Sequence, residues 1–335
     1  MPSEPEPHTP TTTTVPSSSP PSPKSEPVLT PRQKLNLLLY RFLLRIGRST
    51  DRTLTRLSAL LSNPTTCDTL LTTLEYTLSL LSHLLSRALS SRLSSLATSI
   101  AEKAHDALLP GEEVTLALPA PEKIKVLAQA TASTKALAST KALASLISDF
   151  RVFVRLWGLV GIYMWGRETW LSPLAEGGSR KERVLRGVTW GQIAACTAYQ
   201  VLENGAYLAS KGILNTVGWT GEQGKKRETR WWVWSSRFWG VHVGLEVLRL
   251  WVLWRCKDEE IKWDDGADEK EGKLLREEKK REDRLWWRDA VSNAAYAPLT
   301  IHWSVEEGIA GDAWVSFLGM IAGGAMLVDA WRSTA

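Results

Sequence analysis

Residues 31–48 read PRQKLNLLLYRFLLRIGR. At about 100° per residue, Lys34, Arg41, Arg45 and Arg48 fall within one sector about 60° wide, and Leu35, Leu38, Leu39, Phe42, Leu43 and Ile46 cover the broad face opposite. The spacing predicts a helix with a basic face and a bulky apolar face. Thr30 is placed to cap it, Pro31 suits its first turn, and Asn63-Pro64 ends the helical region. The whole chain carries 41 Lys+Arg against 36 Asp+Glu. Between Arg32 and Arg56 seven basic residues face a single acid, Asp51, so the excess is local to this helix. A helix that reads DNA would not need an apolar face opposite its cations, and stacking aromatics are limited to Tyr40 and Phe42. Cations with Leu, Phe and Ile opposite are instead the pattern of a helix lying on an anionic lipid surface.

On the N-terminal side, residues 1–31 hold ten of the 16 prolines among Ser, Thr and Glu, and read as a disordered tail. On the C-terminal side, residues 32–109 form an N-terminal helical region. Within it, Leu71, Leu74, Leu78, Leu81 and Leu85 follow 3,4 spacing and predict a packing seam, with Ser and Thr on the other face. Residues 110–121 read as a linker. A helix then runs from about Glu122 to Trp165, carrying the tandem hexamer ASTKAL at 132–137 and 138–143, a period of 6 that fits no solenoid. It opens a central region, 122–254. Residues 255–285 are a mixed-charge linker or helix, and 286–335 a C-terminal apolar segment. No stretch alternates apolar and polar residues as a strand would, so the chain reads as all-α.

All 17 tryptophans lie between Trp157 and Trp331, which divides the chain into two halves with different surroundings. The longest charge-free apolar windows (187–202, 290–305 and 313–328) are 16 residues each. The bilayer core asks for about 18–20 residues, so each window is short for a span. Trp314 and Trp331 bracket the last window, where the headgroup zone would hold them. The expectation is therefore short, Trp-flanked apolar segments embedded in a membrane after an amphipathic N-terminal region. Three small-residue pairs, Gly187/Gly191, Gly240/Gly244 and Gly319/Gly323, lie in these segments and are candidates for close helix packing.

Sites for catalysis are sparse. No GxxxxGK[ST] or GxGxxG loop and no HExxH motif occurs. The three cysteines, Cys67, Cys196 and Cys256, are far apart and fit reducing surroundings. His242/Glu246 and His302/Glu306 each sit at i, i+4, a spacing that serves a plain hydrogen-bonded pair more often than a metal or proton relay. No cofactor and no metal is expected.

Four segments together resemble the membrane peroxins of the peroxisome-proliferation (peroxin eleven) family, in its divergent fungal form. They are LLRIGRSTDRTLTRLSALL (43–61) with Gly47, Asp51, Arg52 and Arg56, DFRVFVRLWGLVGIYMW (149–165), YQVLENGAYLASKGIL (199–214) and the apolar 313–331. The resemblance implies a peroxisomal membrane protein without a catalytic site. Such a protein inserts its N-terminal helix into one leaflet, curves and elongates the membrane, self-associates, and helps recruit a dynamin-type fission GTPase and its adaptors. The helix in question maps onto 32–56. Lys34, Arg41, Arg45, Arg48, Arg52 and Arg56 would meet anionic phospholipids, and Leu38, Phe42, Leu43 and Ile46 would enter the acyl boundary. The rival expectations are a metabolite channel or carrier, with Arg237, His242, Glu246 and Arg249 facing a lumen, a membrane enzyme, and a soluble helical scaffold.

Overall fold

The computed structural model describes residues 30–107, 120–174, 177–256 and 269–334. The expected tail (to residue 29), most of the 110–121 linker and the acidic-basic stretch 257–268 lie outside them. Among the described residues the protein is all-helical: α1 (Pro31–Ser62), α2 (Pro64–Ala107), α3 (Ala120–Val154), α4 (Gly158–Leu171), α5 (Arg180–Ser210), α6 (Gly221–Arg255), α7 (Glu269–Trp303) and α8 (Asp312–Ser333). A single 3-10 turn, Arg155–Trp157, joins α3 to α4.

Local chemistry sets the helix ends. Gln33 N donates to Thr30 Oγ1, and Thr30 N donates back to Gln33 Oε1, a reciprocal cap that starts α1. Thr65 N donates to Asn63 Oδ1, which caps α2 just past the break at Pro64. Ser179 and Glu182 form a second reciprocal cap at the start of α5. Gly308 has a φ of 68°, in the left-handed region, and turns the chain from α7 towards α8.

The chain divides into two compact units, Met1–Leu54 and Thr55–Ala335. In the first, every described residue from 30 to 54 is exposed. The second is a ring of helices. Its pairs are α2 with α3, α5 with α6, α6 with α7, α7 with α8, and α8 back against α2. The turn at Arg155–Trp157 touches α5, and Asn204 Nδ2 donates to Leu156 O there. The ring thus closes on both sides, with the last helix beside one of the first.

Three expectations change. The predicted helix from Glu122 to Trp165 is interrupted at 155–157. The charged stretch before 285 and the apolar segment after 286 share one helix, α7, so no boundary falls at 285. The leucine seam of α2 is packed only in part: Leu71, Leu78 and Leu85 are half-buried while Leu74 and Leu81 are 42% and 44% exposed, and the most buried positions are Thr72 and Ser82, each 3% exposed. The small hydroxyl face turns inward because each hydroxyl bonds its own helix: Thr72 Oγ1 donates to Asp68 O at 2.7 Å, and Ser82 Oγ to Ser79 O at 2.8 Å. That satisfaction removes most of the cost of burying them.

Candidate membrane-facing surfaces and the polar interior

Lys34, Arg41, Arg45, Arg48 and Arg52 are all exposed on α1. Leu38, Phe42, Leu43 and Ile46 are exposed as well, by 62%, 60%, 64% and 45%. An apolar face this bare is costly in water, at about 25 cal/mol per Å² of exposed surface. Arg56 is placed differently. Its guanidinium donates to Trp331 O at 3.1 Å and to Thr334 Oγ1 at 3.2 Å, and stacks 4.8 Å from the Trp331 ring centroid. It sits on the C-terminal carbonyls of α8, where the helix dipole favours a cation. Arg56 therefore leaves the set of headgroup cations expected from sequence and becomes a tether.

The glycine pairs are unequal. A Cβ on Gly319 would lie 2.5 Å from the Tyr76 ring, and one on Gly323 would lie 2.8 Å from Thr73 Oγ1, so this pair lets α8 approach α2 closely. Gly191 would meet Leu245 at 3.0 Å and Gly240 would meet Thr300 at 3.5 Å. Gly187 and Gly244 have nothing within 4 Å and do not serve packing here. α8 is also the one described helix long and apolar enough to cross a membrane.

Inside the ring the charges find one another. Arg151, on α3, is 9% exposed and donates to Asp68 at 2.9 Å and to Glu75 at 2.5 Å, both on α2. Arg155 Nη2 pairs with Glu203 at 3.0 Å. Across the ring, Glu246 accepts from Gln192 at 2.7 Å and from Arg249, which reaches Asp289 at 3.0 Å. Arg288 then bridges Asp289 at 2.7 Å and Asp329 of α8 at 2.8 Å. Burial pushes the Tyr76 phenol well above its usual range. At the surface, hydrogen bonding from Lys211 holds the Asp149 carboxyl below its usual range. Outside, Trp157, Trp170, Trp190, Trp251, Trp254 and Trp314 are exposed.

These charged groups line two open cavities. One, of about 690 Å³, is lined by Asp68, Glu75, Arg151, Arg155, Glu203 and a wall of Tyr76, Tyr199, Tyr296, Trp232 and Trp239. The other, of about 260 Å³, shares Asp68, Trp239 and Tyr296 with it and adds His242, Glu246 and Asp289. Neither His/Glu spacing forms a hydrogen bond among the described residues, although His242 and Glu246 are near enough for each charge to act on the other. His242 Nδ1 lies 3.3 Å from Cys196 Sγ while Glu246 turns to Gln192 and Arg249. His302 Nδ1 accepts from the backbone of Ile309 and Ala310, fixing the loop before α8. Of the four lumen candidates, His242 and Glu246 line the smaller cavity. Arg249 pairs beside it, and Arg237 lies over the Trp234 ring and donates to Ser304 O at the surface.

No motif or local spacing marks Asp68, Glu75, Arg151 or Arg155 as partners, and Glu203 stands out only as the acid of Glu203-Asn204 in the quoted 199–214. Their partners are 48 to 83 residues apart along the chain, beyond the reach of any local spacing rule. One signal was available: two arginines spaced i, i+4 in the otherwise apolar FRVFVRLWG.

No protein-family model matches the chain, and no solved structure matches it. A stretch of 164 residues, 49% of this chain, is 32% identical to the Schizosaccharomyces pombe protein named "Uncharacterized protein C1F12.04c". The match covers 61% of that relative's length.

Proposed function

We propose that this chain is a non-enzymatic membrane-shaping protein of the peroxisomal membrane, acting as the peroxisome-proliferation peroxins it resembles do. The observation that carries the proposal is the bare apolar face of α1, set beside Lys34, Arg41, Arg45, Arg48 and Arg52. Anionic headgroups would hold the cations at about 1 kcal/mol each, and burying each large side chain in the acyl boundary adds about 1.5–3 kcal/mol. A wedge confined to one leaflet expands that leaflet and favours curvature. The outward tryptophans and inward ion pairs of Thr55–Ala335 suit a body embedded in lipid, where charged groups must find partners within the protein. Self-association and recruitment of a dynamin-type GTPase with its adaptors complete the role and would set organelle number and size.

The test uses full-length protein, tagged in cells and reconstituted with anionic vesicles. Peroxisomal fluorescence, resistance to carbonate extraction and tubulation that is lost in Arg41→Glu/Arg45→Glu support the role. A soluble protein, or tubulation indifferent to that double change, refutes it. The contiguous cavities favour a second reading, a conduit for small solutes. Conductance in planar bilayers that falls in Glu246→Gln would establish it.

A further inference from the structure

The stretch from Asp149 to Ser172 and the stretch from Arg186 to Lys211 lie side by side as an antiparallel hairpin. Contacts at successive levels fix its register. At the open end Lys211 Nζ and Tyr207 Oη both meet the Asp149 carboxylate. Next, Arg155 Nη2 pairs with Glu203 at 3.0 Å, and Asn204 Nδ2 donates to Leu156 O at 3.1 Å. A Cβ on Gly158 would collide with the Gln200 amide, and one on Gly166 would lie 3.6 Å from Ile193, so these glycines let the arms close. Trp170 meets Trp190 edge to face, with ring centroids 6.4 Å apart. At the closed end Arg186 donates to Thr169 O and Ser172 O. The first arm runs through the 3-10 turn as helix, because Val154, Trp157 and Gly158 all keep right-handed helical backbone angles. α4 alone, at 14 residues, is too short to cross a bilayer, but the end of α3 extends it.

Exposed charge is confined to the two ends of this hairpin. Asp149 and Lys211 are exposed at the open end, and Arg167, Glu168, Arg180 and Arg183 at the closed end. Between them the first arm has 17 residues (150–166), about 26 Å of helix, and the second 24 (187–210), about 36 Å. These lengths bracket the roughly 30 Å hydrocarbon core of a bilayer. The charges within them, Arg151, Arg155 and Glu203, are all paired and line the larger cavity. The exposed positions carry no charge. They include Phe153, Trp157, Val160 and Met164 at helical 3,4 spacing on the first arm, and Ala194 and Val201 on the second. Thr197, exposed among them, donates its hydroxyl to Ile193 O at 2.8 Å. We infer that this hairpin crosses the membrane, with its uncharged outer face against acyl chains and its two charged ends in opposite headgroup layers. The arginines of the closed end complement phosphate headgroups there. Arg155 and Glu203, at membrane depth, meet the requirement that ionised groups pair within the protein. The inference rests on the reading of the chain as a membrane protein. It fails separately from the α1 wedge, since a hairpin that does not cross leaves tubulation and its loss in Arg41→Glu/Arg45→Glu intact.

The experiment places single cysteines in the full-length chain, with Cys67 and Cys256 changed to Ser and the buried Cys196 kept. Leu174→Cys marks the closed end and Val217→Cys the open end, both at exposed loop positions. In sealed membranes from the expressing cells, a membrane-impermeant maleimide should label one of the two. The other should react only after permeabilisation. Labelling of both in sealed membranes, or of neither, overturns the inference. A second measurement uses spin labels at Val160→Cys and Ala194→Cys in protein reconstituted into phospholipid vesicles. Both labels should be relaxed by oxygen in preference to a water-soluble nickel chelate, the reverse of the order at Leu174→Cys and Val217→Cys. Access of the chelate to positions 160 and 194 overturns the inference in favour of a face in water. Shielding from both reagents overturns it in favour of a face covered by protein, such as a second copy of the chain.

Discussion

The first 24 described residues of α1 and the ring of helices that follows use charge in opposite ways. On α1 the cations and the large apolar side chains both face outward, on two sides of one exposed helix. In the ring a set of charges instead meets partners contributed by other helices, while Trp157, Trp170, Trp251 and Trp314 are exposed. The comparison teaches that a charge inside an apolar stretch has two meanings. Where it repeats along one helical face it marks a surface. Where it stands alone it marks a partner elsewhere in the chain. Counting charges per window cannot separate these two cases.

The sharpest way to break this comparison is to remove an inward charge. Arg151→Leu strands Asp68 and Glu75, and should cost about 3–5 kcal/mol of stability in a denaturant titration. Vesicle binding by α1 should not change. Next in size is Arg41→Glu/Arg45→Glu, which should cost about 2–4 kcal/mol of affinity for anionic vesicles, measured by co-sedimentation at low salt. Its melting temperature should stay that of the parent. Gly319→Ala places a methyl group against the Tyr76 ring and should cost about 1–3 kcal/mol through overpacking of α8 on α2. The smallest effect has the opposite sign. Gly187→Ala meets open space inside α5 and should stabilise by about 0.5–1 kcal/mol, seen as a modest rise in the thermal midpoint.

Much of this was legible from sequence. The all-helical class, the Thr30 cap and the break at Pro64 follow from local rules. What was hidden depended on neighbours. The leucines of α2 keep seam spacing, yet it is Thr72, Thr73 and the Tyr76 ring that meet α8, at Gly319 and Gly323, where there is room only for small groups and one tyrosine ring. The interruption at Arg155–Trp157 carries no proline. It coincides with the point where Arg155 reaches Glu203 and Asn204 reaches Leu156 O, contacts made only once α5 is in place. Arg56 looked like one more member of a basic row, and only the end of α8 beside it reveals a tether.

The closure of the ring between α2 and α8 has a consequence for the order of folding. Neighbouring pairs such as α5 with α6 join helices separated by a short turn, and can form early. The α2–α8 seam joins Tyr76 to Gly319 across most of the chain, and the loss of chain entropy on closing so long a loop must be met before any contact there offsets it. That seam is expected to form late, and the Arg288–Asp329 bridge with it. Until then Asp68, Glu75, Arg151 and Arg155 remain hydrated in an open arc, and the cavity exists as a wet groove. Completion of the ring is thus the final step by which a chain of ordinary helices acquires a polar cavity that stays open at its mouth.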